Sequence, residues 1–208
     1  MRKVHIINHP LVQQKLTYCR QKKTVPKEFR ALIEELTYYM LYEVTKNYQL
    51  IETEIETPVA KAKGYVKAGK KPVFVAILRA GLGMLSSALR MIPMAAFGHI
   101  GVYRDKDTLE PIQYYCKLPQ GLENREVILL DPMLATGGTA VASLRLLKER
   151  GAIDIKFVTL IAAPEGITAI HQEFPEVDIH VAAIDSGLDA DGYIIPGLGD
   201  VGDRLFDT

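Results

Sequence analysis

The chain has 208 residues, 48% of them apolar, which is enough to bury a sizeable core as one domain. Lys+Arg and Asp+Glu both number 25, so nothing points to nucleic acid or an acidic membrane surface. No run of about 18 apolar residues offers a membrane span, and Met1-Arg2-Lys3-Val4-His5 lacks the apolar stretch of a signal peptide. Cys19 and Cys116 show neither metal-site spacing nor a disulfide framework, so two free thiols in a reducing cytoplasm are expected.

Residues 1–25 begin with Val4, Ile6 and Ile7, followed by His9-Pro10 and a helically spaced run from Leu11 to Arg20. His9 reads as a capping or solvated side chain rather than a ligand. Pro26 to Asn47 is predicted as a helix. Phe29, Leu32, Ile33, Leu36, Met40 and Val44 recur at intervals of three and four, and Pro26 suits the first turn. Tyr38, Tyr39 and Tyr42 widen its apolar face for packing against a core or a second subunit. Ile51 and Ile55 alternate with glutamates over residues 50–57, as in a half-buried strand, and Ala60 to Lys71 reads as a surface connection.

Val73 to Leu78 is an uninterrupted apolar run, predicted to be a strand buried on both faces. It ends at Arg79-Ala80-Gly81-Leu82-Gly83, ahead of a helix carrying Met84, Leu85, Ala88 and Leu89. In an open α/β sheet ligands bind at the carboxyl ends of the strands, where a guanidinium offers a fork of donors suited to phosphate. Phe97 to Val102 is a third apolar run. It leads through Tyr103-Arg104-Asp105-Lys106-Asp107 towards Ile112, Tyr114 and Cys116, the pattern of a protruding hairpin. Lys106 and Asp107 read as a solvated charge cluster.

Val127-Ile128-Leu129-Leu130 is another doubly buried strand, and it ends in Asp131-Pro132-Met133-Leu134-Ala135-Thr136-Gly137-Gly138-Thr139. Ala140, Val141, Leu144 and Leu147 then mark a helix closing at Gly151. A strand, a Thr/Gly turn and a helix N-terminus form a phosphate cradle, because first-turn N–H groups lack backbone partners and the dipole favours negative charge. Walker A would need a Gly-Lys-Ser/Thr ending, and the G-x-G-x-x-G fingerprint is absent. The carboxylate of Asp131, five residues before the turn, is placed to accept hydrogen bonds from vicinal sugar hydroxyls. On this stretch alone, an ordinary Gly-rich bend between strand and helix is the competing reading.

Ile155 to Ala163 and Ile179 to Ile184 complete an alternation of strands and helices, which argues a doubly wound, mainly parallel sheet. Asp185 follows the last of these strands and admits a structural or a ligand role. The tail from Asp191 to Arg204 has glycines at 192, 197, 199 and 202, a proline and two adjacent isoleucines. Such turn-rich backbone without periodicity suits a folded hood that offers its own N–H and C=O groups to a flat polar ligand.

The Asp131–Thr139 stretch resembles the phosphoribosyl diphosphate (PRPP) motif of type I phosphoribosyltransferases, and its Asp-Pro-Met-Leu-Ala-Thr-Gly-Gly wording resembles the uracil branch. Pro132 stands where most type I members carry a second acid, in agreement with that branch. The Arg79 segment resembles the family's pyrophosphate loop. The resemblance runs from His9-Pro10-Leu11 to Asp200, and three separated motifs carry it.

It implies an enzyme joining uracil and PRPP into UMP and diphosphate, as in pyrimidine salvage. One domain is implied, with an N-terminal helical segment (1–50), a lid hairpin (104–119) and a base-binding hood (186–208). Arg79 and Arg104 would meet the diphosphate, Asp131 the ribose, and residues 132 to 139 the rest of PRPP. Ile194, Gly199, Asp200 and Val201 would hold uracil, with Asp200 also near PRPP and polarising the base. Mg²⁺ would ride on the substrate rather than on protein ligands. The resemblance also implies a homodimer or larger assembly and, in some relatives, activation by GTP.

Val201 replaces the usual alanine, which matters only if its side chain faces the base. Ser86-Ser87 stand where relatives commonly carry an acid-containing pair. Two rival functions are weaker. A nucleotide- or RNA-binding regulator on the same fold lacks a basic stripe. A transferase for another base lacks support from the tail, which offers orotate's carboxylate only Arg204.

Overall fold

The computed structural model describes residues 3–104 and 111–208, with Arg104 described in its backbone. In chain order the elements are β1 (Val4–Ile6), α1 (Pro10–Arg20), α2 (Pro26–Val44), β2 (Leu50–Glu56), β3 (Lys61–Lys67) and β4 (Val73–Leu78). Next come α3 (Leu82–Met91), β5 (Ala96–Arg104), β6 (Pro111–Lys117), β7 (Val127–Leu130), β8 (Met133–Leu134) and α4 (Gly138–Glu149). The chain closes with β9 (Ile155–Ala162), α5 (Pro164–Glu173), β10 (Asp178–Ile184), β11 (Gly187–Leu188), β12 (Ile194–Ile195) and α6 (Val201–Phe206).

The main sheet runs β1-β10-β9-β7-β4-β5-β6, with β8 paired to β9. Its neighbours are parallel except for the antiparallel pair β5/β6. This is the doubly wound sheet expected from the alternation of apolar runs. The strand residues alternate between two cores. Phe74, Ile128, Leu130 and Val158 face α1, α2, α3 and α6, whereas Val75, Val127, Leu129, Phe157 and Val181 face α4 and α5. Both faces are therefore covered, which is why the central strands are continuous apolar runs rather than alternating ones. Ser87 is buried and donates to Glu34 O at 2.6 Å, so this departure from the common pair serves the contact of α3 with α2.

Three expectations need correcting. The long helix ends at Val44, before the Thr45 cap, rather than at Asn47. Residues 61–67 are a strand, not a connection, and pair with β2 in a separate two-stranded sheet. That arm has no half-buried face: Ile51 and Ile55 are 53% and 44% exposed, because it lies outside the main sheet and no helix among the described residues covers it. Residues Asp105–Glu110 and the side chain of Arg104 lie outside what the structure describes. What remains of the expected hairpin is the β5/β6 pairing, with a register shift at Gly101/Val102. At Gly101 the Tyr114 ring packs so close that a Cβ would come within 2.6 Å of it.

Candidate active site

The central strands β4 and β7 are hydrogen-bonded neighbours, and both point their carboxyl ends to the same edge. Asp131 continues β7, its N–H donating to Val158 O at 3.2 Å. The residue is half-buried. Burial pushes its carboxyl up to about 7, against the smaller opposing effect of the Met133 backbone N–H. The next residue, Pro132, is buried, and its carbonyl accepts both Leu160 N–H (3.1 Å) and Ile161 N–H (3.3 Å). Through these bonds the chain stays in register with β9 and resumes pairing as the short β8, an element the sequence reading had merged into the loop. Leu134 is buried as well, and its carbonyl accepts Ala163 N–H at 2.8 Å. Pro132 and Leu134 thus shape the turn, with their carbonyls already committed to β9 and the residue that follows it.

The turn itself is Ala135-Thr136-Gly137. Gly137 has φ +87°, and a Cβ there would lie 2.7 Å from Ala169 Cβ and 3.1 Å from Gly166 O, so the position is closed to other residues twice over. Across the contact, Gly166 of α5 is equally tight, its missing Cβ 2.5 Å from Ala135 O. Gly138 differs: the nearest atom to a Cβ there would be Thr136 Oγ1 at 3.9 Å, so open space lies over the start of α4. No side chain caps that helix, and Gly138 N–H makes only a long 3.5 Å contact with Thr136 Oγ1. Its first-turn donors face a depression of about 90 Å³ lined by Asp131, Met133 to Gly137, Thr139 and Ala140.

Beside it, Arg79 leaves β4 and is 56% exposed. Its guanidinium Nη2 lies 3.2 Å from Asp203 Oδ1 of α6. The glycines after Arg79 serve packing. A Cβ on Gly81 would strike Ile77 O (2.6 Å) and Leu130 O (2.7 Å), and one on Gly83 would strike Leu205 Cδ1 at 2.8 Å. Close packing here lets β4 turn directly into α3 beside β7 and under the C-terminal helix.

The tail is ordered. β11 and β12 pair antiparallel, Ile195-Pro196 is a cis peptide, and α6 closes the chain. Asp185 holds this hood in place. Its oxygens accept Arg20 Nη1 (2.7 Å) and Nη2 (2.6 Å) side by side, and Oδ2 also accepts Gly197 N–H at 3.0 Å. Arg20 Nη1 additionally donates to Gly197 O at 2.9 Å. A second bolt is Arg204, which donates to Cys19 O (2.6 Å), Leu198 O (2.7 Å) and Gln21 O (3.0 Å) and lies 4.0 Å from the centre of the Phe29 ring. It is therefore spent on the end of α1 and is no free cation for a ligand carboxylate. Asp200 caps α6, its Oδ1 accepting Asp203 N–H at 2.9 Å. Ile194 is nearly buried, and Gly199 has φ +70°. Val201 is fully buried beside Leu198 and Leu205, so its two extra methyl groups fill core rather than an open pocket.

These features coincide with a known family. The model of the uracil phosphoribosyltransferase family matches residues 6–208. A uracil phosphoribosyltransferase from Thermoanaerobacter sp. (strain X514) is 58% identical, over 99% of this chain and 98% of its own. The chain belongs to the uracil phosphoribosyltransferase family. Another uracil phosphoribosyltransferase, from Anoxybacillus flavithermus, is 56% identical over the whole of both chains. A solved protein of Aquifex aeolicus superposes with a TM-score of 0.92 at 41% identity, covering 98% of this chain and 97% of that one. The adenine phosphoribosyl transferase of Trypanosoma brucei shares the fold alone, with a TM-score of 0.62 at 13% identity over 92% of this chain and 88% of that one.

For a uracil phosphoribosyltransferase, then, the sheet edge brings together Arg79, Asp131 and the loop to Thr139, with α6 of the hood touching Arg79. The sequence reading missed Arg20, Gly166 and Asp203 and left Asp185 open. The Arg20–Asp185 contact spans 165 residues, and no local pattern announces it. Three larger cavities, of about 460, 520 and 320 Å³, lie by β1, α1 and α2 and include none of the predicted site residues.

Proposed function

We propose that this chain transfers the phosphoribosyl group of PRPP to N1 of uracil, releasing diphosphate and giving UMP. One observation carries the reading: Arg79 and Asp131 leave the carboxyl ends of adjacent parallel strands, beside an uncapped helix start with open space over Gly138. The spacing of neighbouring strands, about 4.8 Å, suits a sugar with phosphates on two sides. The 5-phosphate sits on the N–H groups of residues 135 to 139, the ribose hydroxyls donate to Asp131, and the diphosphate meets Arg79. The hood brings Ile194, Gly199, Asp200 and Val201 to the base through backbone groups, with Asp200 polarising it.

As the C1–diphosphate bond loosens, the ribose gains oxocarbenium character and negative charge collects on the leaving group, where Arg79 stabilises it. Uracil N1 closes on C1 and, as positive charge develops there, its proton passes to solvent water. The pocket holds the two reactants in line, so much of the acceleration is positional. Asp131, raised to about 7, gains charge when the ribose hydroxyls donate to it, so PRPP binding favours its ionised form.

The donor set fits Mg²⁺ carried by the substrate. Asp131 is the only carboxylate among the residues lining the depression, and no three His, Cys, Asp or Glu side chains among the described residues are grouped to hold a metal. Bound there, the ion would neutralise charge on the diphosphate. Arg104 joins as a second cation from the lid hairpin. Apolar side chains exposed on α2 and the β2/β3 arm, Tyr42 at 69% and Tyr65 at 67% among them, support a homodimer or larger assembly. GTP is the activator expected on resemblance, acting through subunit contacts. No helix among the described residues is long and apolar enough to cross a membrane, and the cytoplasm is the proposed location.

The test is product identification with PRPP and Mg²⁺ over uracil, 5-fluorouracil, cytosine, orotate, hypoxanthine and guanine, with and without GTP. UMP from uracil and 5-fluoro-UMP from its fluoro analogue, each with one equivalent of diphosphate, and no nucleotide from the other bases, are expected. Turnover of a different base would overturn the assignment of the hood. PRPP binding without turnover of any base would replace the enzyme with a regulator.

A further inference from the structure

The contact between Arg79 and α6 is unexplained by the reading above. Asp203 Oδ1 accepts from Arg79 Nη2 at 3.2 Å and from the Thr208 hydroxyl at 3.2 Å. The Phe206 ring centre lies 5.9 Å from the guanidinium carbon, and Leu205 fills the space left by Gly83. The N–H of the same Asp203 is the donor accepted by the Asp200 side chain. A continuous line of contacts thus runs from Asp200, on the base side, through Asp203 to Arg79, on the diphosphate side.

Stability does not account for this pair. Arg79 and Asp203 are 56% and 51% exposed, and ion pairs so open to water contribute little to folding. Its geometry does have a consequence for binding. A guanidinium carries five N–H donors in a fixed plane. Asp203 engages Nη2 and the Thr208 hydroxyl makes a long 3.5 Å contact with Nη1, which leaves Nε and the second N–H of each Nη for an anion while restricting the rotation of a long, exposed side chain.

We propose that Asp203 is a positioning residue that ties the base-binding hood to the diphosphate site by aiming Arg79. This deepens the phosphoribosyl-transfer reading and rests on it. When the base settles on the hood and fixes the start of α6, Asp203 is fixed with it, and Arg79 is held towards the leaving group. By linkage, uracil and diphosphate then favour each other's binding.

The test compares wild type with Asp203→Asn and Asp203→Glu, and takes Glu173→Gln as the control for loss of another exposed ion pair. Magnesium diphosphate is titrated by calorimetry without nucleotide present, and initial rates are measured against PRPP and uracil separately. Asp203→Asn is expected to weaken diphosphate binding and raise the KM for PRPP about tenfold. The KM for uracil and kcat should stay within about threefold and the Tm within about 1 °C, with Asp203→Glu recovering most of the loss. Glu173→Gln should leave all of these values unchanged. An unchanged KM for PRPP, a fall in it, or equal losses for both substrates together with a lowered Tm would each overturn the proposal. Failure of wild type to form UMP would instead sink the functional reading, and the diphosphate titration would still judge the contact itself.

Discussion

The two halves of the site are built by different means. On the proposed function, the phosphate-and-sugar half is a strand, a three-residue turn and a helix, held by close backbone packing such as Gly137 against Gly166. The proposed base half is irregular backbone, held from outside by the side chains of Arg20, Asp185 and Arg204. A phosphate needs many N–H donors converging on one point, which a helix start supplies from local sequence. A flat base needs donors and acceptors alternating along an edge. No regular element presents that pattern, so distant residues must hold an irregular one still.

Changes that break one half should therefore leave different signatures from changes that break the other. The largest effect is expected from Gly137→Ala. The left-handed backbone costs ~1–2 kcal/mol, and the collision with Ala169 and Gly166 adds ~1–3 kcal/mol of overpacking. The urea midpoint should fall accordingly, and kcat/KM for PRPP should drop on the order of 100-fold as the cradle shifts.

Asp131→Asn should act less severely and depend on pH. The ribose needs an acceptor, so the wild-type KM for PRPP should rise as pH falls from 8 to 6, through the raised pKa of about 7. The variant's KM should be about tenfold higher at pH 8 and flat across that range. Stability should run the other way. The native carboxyl holds a proton up to about 7 while the unfolded one loses it near 3.8, so native protein binds more protons in that window and loses stability as pH rises. Asparagine escapes this loss. The variant should melt a few degrees above wild type at pH 8, and the gap should close towards pH 4.

The smallest effect on activity is expected from Val201→Ala, which introduces the residue expected there from the resemblance. The side chain points into the core, so the cost is packing, about 1–2 kcal/mol. Uracil KM should move by less than about twofold, whereas a large shift would return Val201 to the base pocket.

The same division explains what the sequence made legible. Val73–Leu78 and Val127–Leu130 were readable because doubly buried strands must be continuously apolar, and Arg79 and Asp131 because they terminate those runs. The β2/β3 arm was half misread, since Ala60–Lys71 has the lysines and glycine of a loop and an uncovered hairpin need not alternate. The tail was readable as folded from its turn residues, but not how it is held. Arg20 looks like any basic residue in the last turn of a helix, and Asp185 like any acid after a strand. Only the fold shows that they meet, and that Arg204 is spent on Cys19, Gln21 and Leu198.

The claim that the two halves are separately built is tested most directly on Arg20→Ala. Its KM for uracil is measured alongside the dissociation constant of magnesium diphosphate without nucleotide. Removing the guanidinium leaves Asp185 with only the Gly197 N–H and Gly197 O without its donor, so β11, β12 and the turn at Gly197 should loosen. Meanwhile α6, held by Arg204 on the end of α1 and by Arg30 on Leu205 O (2.7 Å), keeps Asp203 on Arg79, and the strand–turn–helix cradle stands. The account predicts a KM for uracil raised about 30-fold or more, with diphosphate affinity within about twofold of wild type. Loss of both in equal measure would contradict it and show the site to be a single cooperative unit.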